Sequence, residues 1–253
     1  MKKWLLWLGM ALTAGTLSGC SLTSDPTLLK QSVVQRTVDP TGLASVMAAL
    51  SVMKPVTSYD LKASEAVQTG RFTQQVSYYG SVRLPSTVSM DMTVGGLNYV
   101  LYQDGSLAYY MDGNDGNRWL PMHPVGNLRP WDSLIKLLRQ APPKVVYQLP
   151  QQVVVSWPCR VYQFETIAKP ADLPGGVAAL GSPRRTIPHA ALYTIYVDTT
   201  DGKLRQVQVQ STVGVPGLGT SSITSTELYF SKNAKLALPV PTALVSQLEK
   251  PLG

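Results

Sequence analysis

Apolar and polar residues alternate with a period of two along most of this chain. Tyr59, Leu61, Ala63, Glu65 and Val67 alternate with Asp60, Lys62, Ser64 and Ala66, and Val88, Met90, Met92 and Val94 alternate with Ser89, Asp91 and Thr93. That period places one set on each face of a pleated ribbon and predicts strands. Further alternating runs occur at 97–103, 106–111, 145–155, 159–167, 191–198, 203–211 and 221–230. Asp104-Gly105 and Asp201-Gly202 lie between such runs, with Gly95-Gly96 as a third turn of the same kind. These dipeptides supply the positive φ that tight hairpins need. The prediction is an antiparallel meander with one packed face and one wet face.

Two segments follow a helical period instead. In TGLASVMAALSVMK, Leu43, Val46, Met47, Leu50 and Met53 share one helical face, with Thr41 as cap and Pro55 as stop. In RPWDSLIKLLRQA, residues 129–141, Trp131, Leu134, Ile135, Leu137 and Leu138 define another, opened by Asp132 and closed before Pro142-Pro143. Residues 169–190 are rich in Pro and Gly and too long for a hairpin, the pattern of a lid or a disordered excursion. Residues 21–40 keep neither period and read as a tether, roughly 25 Å in mean reach.

The N-terminus has its own charge order. Lys2 and Lys3 precede an apolar run from Trp4 to about Leu17, which is too short for a membrane span and has the layout of a secretory signal. Leu17, Ser18, Gly19 and Cys20 resemble a bacterial lipobox, whose Cys thiol takes a diacylglycerol and becomes the first residue after cleavage. Residues 1–19 are then the lipoprotein signal, 20–40 the lipidated Cys and its tether, and 41–253 the folded domain. The resemblance implies a palmitate-bearing anchor and an extracytoplasmic place on the cell membrane. In a bacterium with two membranes, Ser21 after the Cys points to the outer one. Once Lys2 and Lys3 leave, the formal charge falls from +7 to +5. The remaining cations are scattered, with Arg184-Arg185 the longest run, which argues against nucleic acid as a partner.

Material for catalysis is sparse. His123 and His189 are the only histidines, both next to prolines, and read as loop residues. No Ser-elbow, metalloprotease or phosphate-loop spacing occurs, and GVPGLG at 214–219 has the wrong glycine intervals. MDGNDGNRW at 111–119 fails the calcium-loop spacing and reads as a tight turn. The thiol of Cys159 lies beside Arg160, which would lower its pKa, but the strand-like alternation around it favours a small buried hydrophobe. No metal or cofactor is expected, nor an enzyme.

Apolar strand residues are plentiful. Val88, Met90, Met92, Tyr99, Leu101, Leu107, Tyr109 and Met111 would line the concave side of a curved sheet, where methionine suits a surface that repacks around variable ligands. They would serve an ordinary core equally well. The order of elements carries a further resemblance: lipobox, tether, a helix ending near Pro55, YDLKASEAV, FTQQVSYYGSVRLPSTVSMDMTV, LNYVLYQDGSLAYYM, then PWDSLIKLLRQ and finally ELYFSKNAKLALPVPTALVSQL. This layout resembles the LolA/LolB-like lipoprotein carrier superfamily, with relatives of the LppX, LprG and RseB types. The resemblance implies a mainly β (α+β) fold: a strongly curved antiparallel sheet forming an unclosed half-barrel, with helices plugging the concave face. It also implies an apolar cavity between sheet and helices, to which Leu134 and Leu138 would contribute. The expected function is binding or carriage of a lipid by a membrane-anchored lipoprotein. The alternative is a sensor or structural lipoprotein that engages an envelope protein or wall polymer.

Overall fold

The structure is a computed structural model and describes residues 35–113, 118–168, 189–215, 219–230, 232–235 and 237–249. The sequence-predicted loop at 169–190 lies outside this set except for its last two residues, as do the signal, Cys20 and Arg184-Arg185. Twelve strands form one antiparallel sheet. They are β1 (Thr37–Val38), β2 (Ser58–Thr69), β3 (Phe72–Arg83), β4 (Thr87–Val94), β5 (Leu97–Asp104), β6 (Leu107–Asp112), β7 (Trp119–Pro121), β8 (Val146–Val154), β9 (Trp157–Ala168), β10 (His189–Asp198), β11 (Leu204–Val215) and β12 (Gly219–Phe230). Their order across the sheet is β1-β8-β9-β10-β11-β12-β2-β3-β4-β5-β6-β7. The last strand pairs with β2, so the sheet closes in its middle and its two outer strands stay apart. This is the expected unclosed half-barrel.

The predicted turns form where the glycines allow them. Gly95, Gly96, Gly105 and Gly202 all take positive φ at the β4–β5, β5–β6 and β10–β11 connections. Gly80 has a different reason. It sits in β3 opposite Met90, where a Cβ would lie 2.2 Å from the Ser89 carbonyl oxygen and 2.6 Å from the Met90 Cα. The two backbones approach there as only a glycine permits.

Helix α1 (Gly42–Val52) and helix α2 (Pro130–Gln140) fulfil both helical predictions. Val46, Ala49 and Leu50 of α1 and all five predicted apolar residues of α2 are buried in one cluster with Tyr59, Val82, Phe164, Tyr193, Ile195 and Tyr229 from the concave face. Trp131 is the pivot. Its ring meets those of Tyr59 and Tyr229 edge-on at 5.3 and 6.2 Å, and the Tyr59 hydroxyl donates to the Leu128 carbonyl just before α2.

Several elements differ from the prediction. Thr41 does not cap α1 with its side chain; its backbone N–H and hydroxyl both donate to Asp39. The tether yields a short strand at its end, because Thr37 and Val38 pair with Gln148 and Tyr147 of β8. His189 opens β10 instead of lying in a loop. A third helix, α3 (Thr242–Leu248), covers the convex face: Leu244 packs with Tyr102 and Trp119, while the Gln247 amide accepts from the Trp119 N–H and donates to its carbonyl.

The close approach at Gly80 sets a test. Gly80→Ala is expected to lower unfolding free energy by about 1–3 kcal/mol, the usual cost of overpacking, whereas Gly126→Ala, where an added Cβ meets nothing within 4 Å, changes it little. Urea denaturation of the two variants checks this.

Candidate functional site

In an antiparallel pair, residues directly opposite each other point to the same face, so the register sorts the predicted ligand residues. Val88 is opposite Gln103, Met90 opposite Leu101, and Met92 opposite Tyr99. These five of the predicted set share the face that α1 and α2 cover. Leu107, Tyr109 and Met111 do not: they stand opposite Asp104, Tyr102 and Val100, on the other face. Tyr109 and Met111 pack there around the Tyr102, Trp119 and Leu244 cluster, and Leu107 is exposed. The sequence error is one of phase. The Asp104-Gly105 turn brings Ala108 and Tyr110, not their neighbours, opposite Gln103 and Leu101.

The remaining residues divide by position along the concave face. Val88, Leu134, Leu138 and Leu101 are 0, 4, 2 and 8 % exposed and belong to one buried cluster beneath the helices, where side chains pack on one another. Met90 packs against the edge of that core. Farther along, Met92, Val94, Leu97 and Tyr99, with Val67 and Ile223 across the sheet, are half-buried and apolar. They form a trough running from the helices toward the β2–β3 hairpin, where Phe72 is 74 % exposed.

Two carboxyl groups lie in the floor of this trough. Glu65 is opposite Ser225, and Glu227 is opposite Ala63, so the two acids stand on adjacent strands one same-face position apart. Both are buried, and burial pushes each carboxyl up to about 7, a rise that the charge of Glu65 reinforces at Glu227. The Tyr229 hydroxyl donates to Glu227 Oε2, which opposes the rise, while Glu65 Oε2 is buried with no hydrogen-bond partner. Tyr78, opposite Ala63 on β3, faces the same pair; burial and then the two carboxyls push its hydroxyl up to about 12. Near neutral pH each acid is therefore poised between donating and accepting a hydrogen bond. The signal in the sequence was that Glu65 keeps the phase of Tyr59, Leu61, Ala63 and Val67.

The opposite face holds a separate polar cluster. Arg205 donates to Asp198 at 2.5 and 2.8 Å and to Asp201 at 2.9 Å, with its guanidinium 4.2 Å from the centre of the Trp157 ring. Burial disfavours the Asp198 anion, but hydrogen bonds from Thr200 and Arg205 outweigh it and hold the carboxyl below its usual range. Cys159 is fully buried beside this cluster, among Leu149, Val161 and Tyr196. Burial and then Asp198 push its thiol up, the behaviour of a packed hydrophobe. Burial and the nearby Arg205 bring the Lys232 ammonium down to about 7. Among the described residues, no cluster of three His, Cys, Asp or Glu side chains could hold a metal ion, and no helix is long and apolar enough to cross a membrane.

No family model matches the chain, and no curated protein matches it. Solved structures do. LprF from Mycobacterium bovis is 9 % identical, over 81 % of this chain and 99 % of its own, with a TM-score of 0.47. A LolA superfamily protein from Nitrosomonas europaea is 7 % identical over 78 and 94 %, with a TM-score of 0.29. A match to the MucA/MucB complex structure from Pseudomonas aeruginosa, 7 % identical over 75 and 94 %, has a TM-score of 0.25.

The two raised carboxyls set the pH dependence of stability. Between about pH 5 and 7 the folded state holds protons that the unfolded chain has released, so stability falls as pH rises, by roughly 1.4 kcal/mol per pH unit for each group. Above pH 7 the depressed Lys232 reverses the sign, since the unfolded chain then holds the extra proton. Chemical denaturation from pH 5 to 8 should show the fall, and the Glu65→Gln, Glu227→Gln double variant should flatten it.

Proposed function

We propose that this chain is an extracytoplasmic lipoprotein, anchored through Cys20, that binds an amphiphile along the open part of its concave face. The observation that supports this reading is that apolar residues on that face continue beyond the helices and remain half-buried: Met92, Val94, Leu97, Tyr99, Val67 and Ile223. An acyl chain laid along them would complete their burial. About 12 methylenes would contribute on the order of 10 kcal/mol at ~0.8 per CH₂, before the cost of ordering the chain. Met92, unbranched and polarizable, adapts to chains of different shape. Glu65, with one oxygen unpartnered, would meet a hydroxyl, amide or amine on the ligand. The ligand therefore lies in a trough beside the helices, not in a sealed cavity beneath them, and the reading requires no covalent chemistry.

A second reading has its own observation. Tyr79, 56 % exposed, stacks on Phe230 at 6.3 Å and 21° on the convex face, the kind of paired surface aromatic that engages a protein partner. It corresponds to a sensor or structural role for the same fold.

Native mass spectrometry of the protein, purified from its own host without the acyl anchor, is expected to show co-purifying lipid. Met92→Asp is expected to weaken binding of a fluorescent fatty-acyl probe about tenfold or more while Tyr79→Ala leaves it unchanged. A chain that is always empty and takes up no probe would remove the amphiphile reading in favour of the partner reading.

A further inference from the structure

The solvent side of α2 carries a feature that the concave trough does not use. Lys54, two residues past the end of α1, lines an open cleft of about 410 Å³ together with Lys136, Arg139, Asp132, Ile135 and Gln140 of α2. All three cations are exposed. Among the described residues the ion pairs are those of Lys203 and Arg205 on the other face, and none involves Lys54, Lys136 or Arg139. Asp132 is the one carboxylate in the cleft, in the first turn of α2, where it complements the helix N-terminus. Ile135 is buried at the base, so the cationic groups surround an apolar floor.

We infer that this cleft is where the domain rests on an anionic membrane surface, with Lys54, Lys136 and Arg139 contacting lipid phosphates. Three unpaired cations are matched at once by a surface that repeats its negative charge, and each basic residue held there adds independently to attraction. Nucleic acid is disfavoured, because the charges neither extend into a stripe nor alternate with aromatic residues. The path of the chain agrees. After α2 it passes the exposed Lys144 into β8, the strand that pairs with β1, the first strand of the described chain. Cys20 lies 15 residues before Gln35, a contour of at most about 50 Å, so an anchor at that Cys would keep the domain within reach of the bilayer. The inference goes beyond the amphiphile reading and shares with the proposed function only the anchor at Cys20.

Vesicle co-sedimentation tests it, using the chain from residue 20 onward with Cys20→Ser, which keeps every described residue and removes the acyl group. Binding is expected to vesicles of 30 % phosphatidylglycerol in phosphatidylcholine and not to pure phosphatidylcholine, with loss at high salt. Lys54→Gln, Lys136→Gln and Arg139→Gln should each weaken it about fivefold, and the triple variant should abolish it while melting at the parent temperature. Lys62→Gln, on the convex face, should leave it unchanged. Equal binding to both vesicle types, an unaffected triple variant, or an equal loss with Lys62→Gln would overturn the proposal. So would displacement by millimolar inorganic phosphate at constant ionic strength, which would assign the cleft to the free anion. A crosslink from Lys136→Cys to one envelope protein, without vesicle binding, would assign it to a protein partner.

Discussion

Two short helices must serve a very wide sheet, and much of the structure follows from that mismatch. A helix of 11 residues is about 16 Å long. Twelve strands spaced about 4.8 Å apart measure more than 50 Å across. The helices therefore cannot bury the whole concave face. They concentrate on one region, where α1 meets β8, β10 and β11 and α2 packs Trp131 against the contacting rings of Tyr59 and Tyr229. Coverage is complete at that end, and the core there is closed to water. Elsewhere the same face must accept partial exposure, and its residues are chosen accordingly: methionine, tyrosine and valine in place of a uniform run of leucines.

The boundary between the two regimes is chemical as well as geometric. Tyr229 touches both sides of it, with its ring in the aromatic cluster beneath α2 and its hydroxyl on Glu227. An ordinary hydrophobic core would replace both glutamates. Keeping Glu65 and Glu227 there destabilises the folded state near neutrality, because the medium favours their protonated forms. Such a cost is typical of residues retained for what they meet and not for how they pack.

Period and turn chemistry made the sheet legible from the chain. Alternation in 88–94 and 191–198, with glycine at the hairpin bends, made strands and pairings readable because apolar residues recur there at every second position, although β10 is buried on both faces, with Thr194, Tyr196 and Asp198 buried on the face opposite to Tyr193, Ile195 and Val197. β3 was harder to read. FTQQVSYYGSVR has tyrosines in both phases and a glycine in its middle, so no face stands out until β2 and β4 are beside it. The assignment of faces failed at Leu107, Tyr109 and Met111 for a related reason. As far as Met111 both phases of β6 are apolar or aromatic, since α3 covers one side and the other belongs to the concave face. A helix 130 residues away in sequence decides that question, and local pattern cannot register it. Glu65 was visible all along as a carboxylate in apolar phase, but the same pattern arises wherever a strand end reaches water, and only its burial distinguishes the two.

The two outermost strands are also the shortest. β1 has two residues and is followed by Asp39-Pro40, and β7 has three and ends on Pro121. A proline offers no N–H to an incoming strand, and a strand of two or three residues offers few groups to copy. A sheet left unclosed so that its interior stays accessible would otherwise present two long templates for association. Copies of the chain at high local concentration would then meet edge to edge. Clipped margins allow such a sheet to remain open without polymerising.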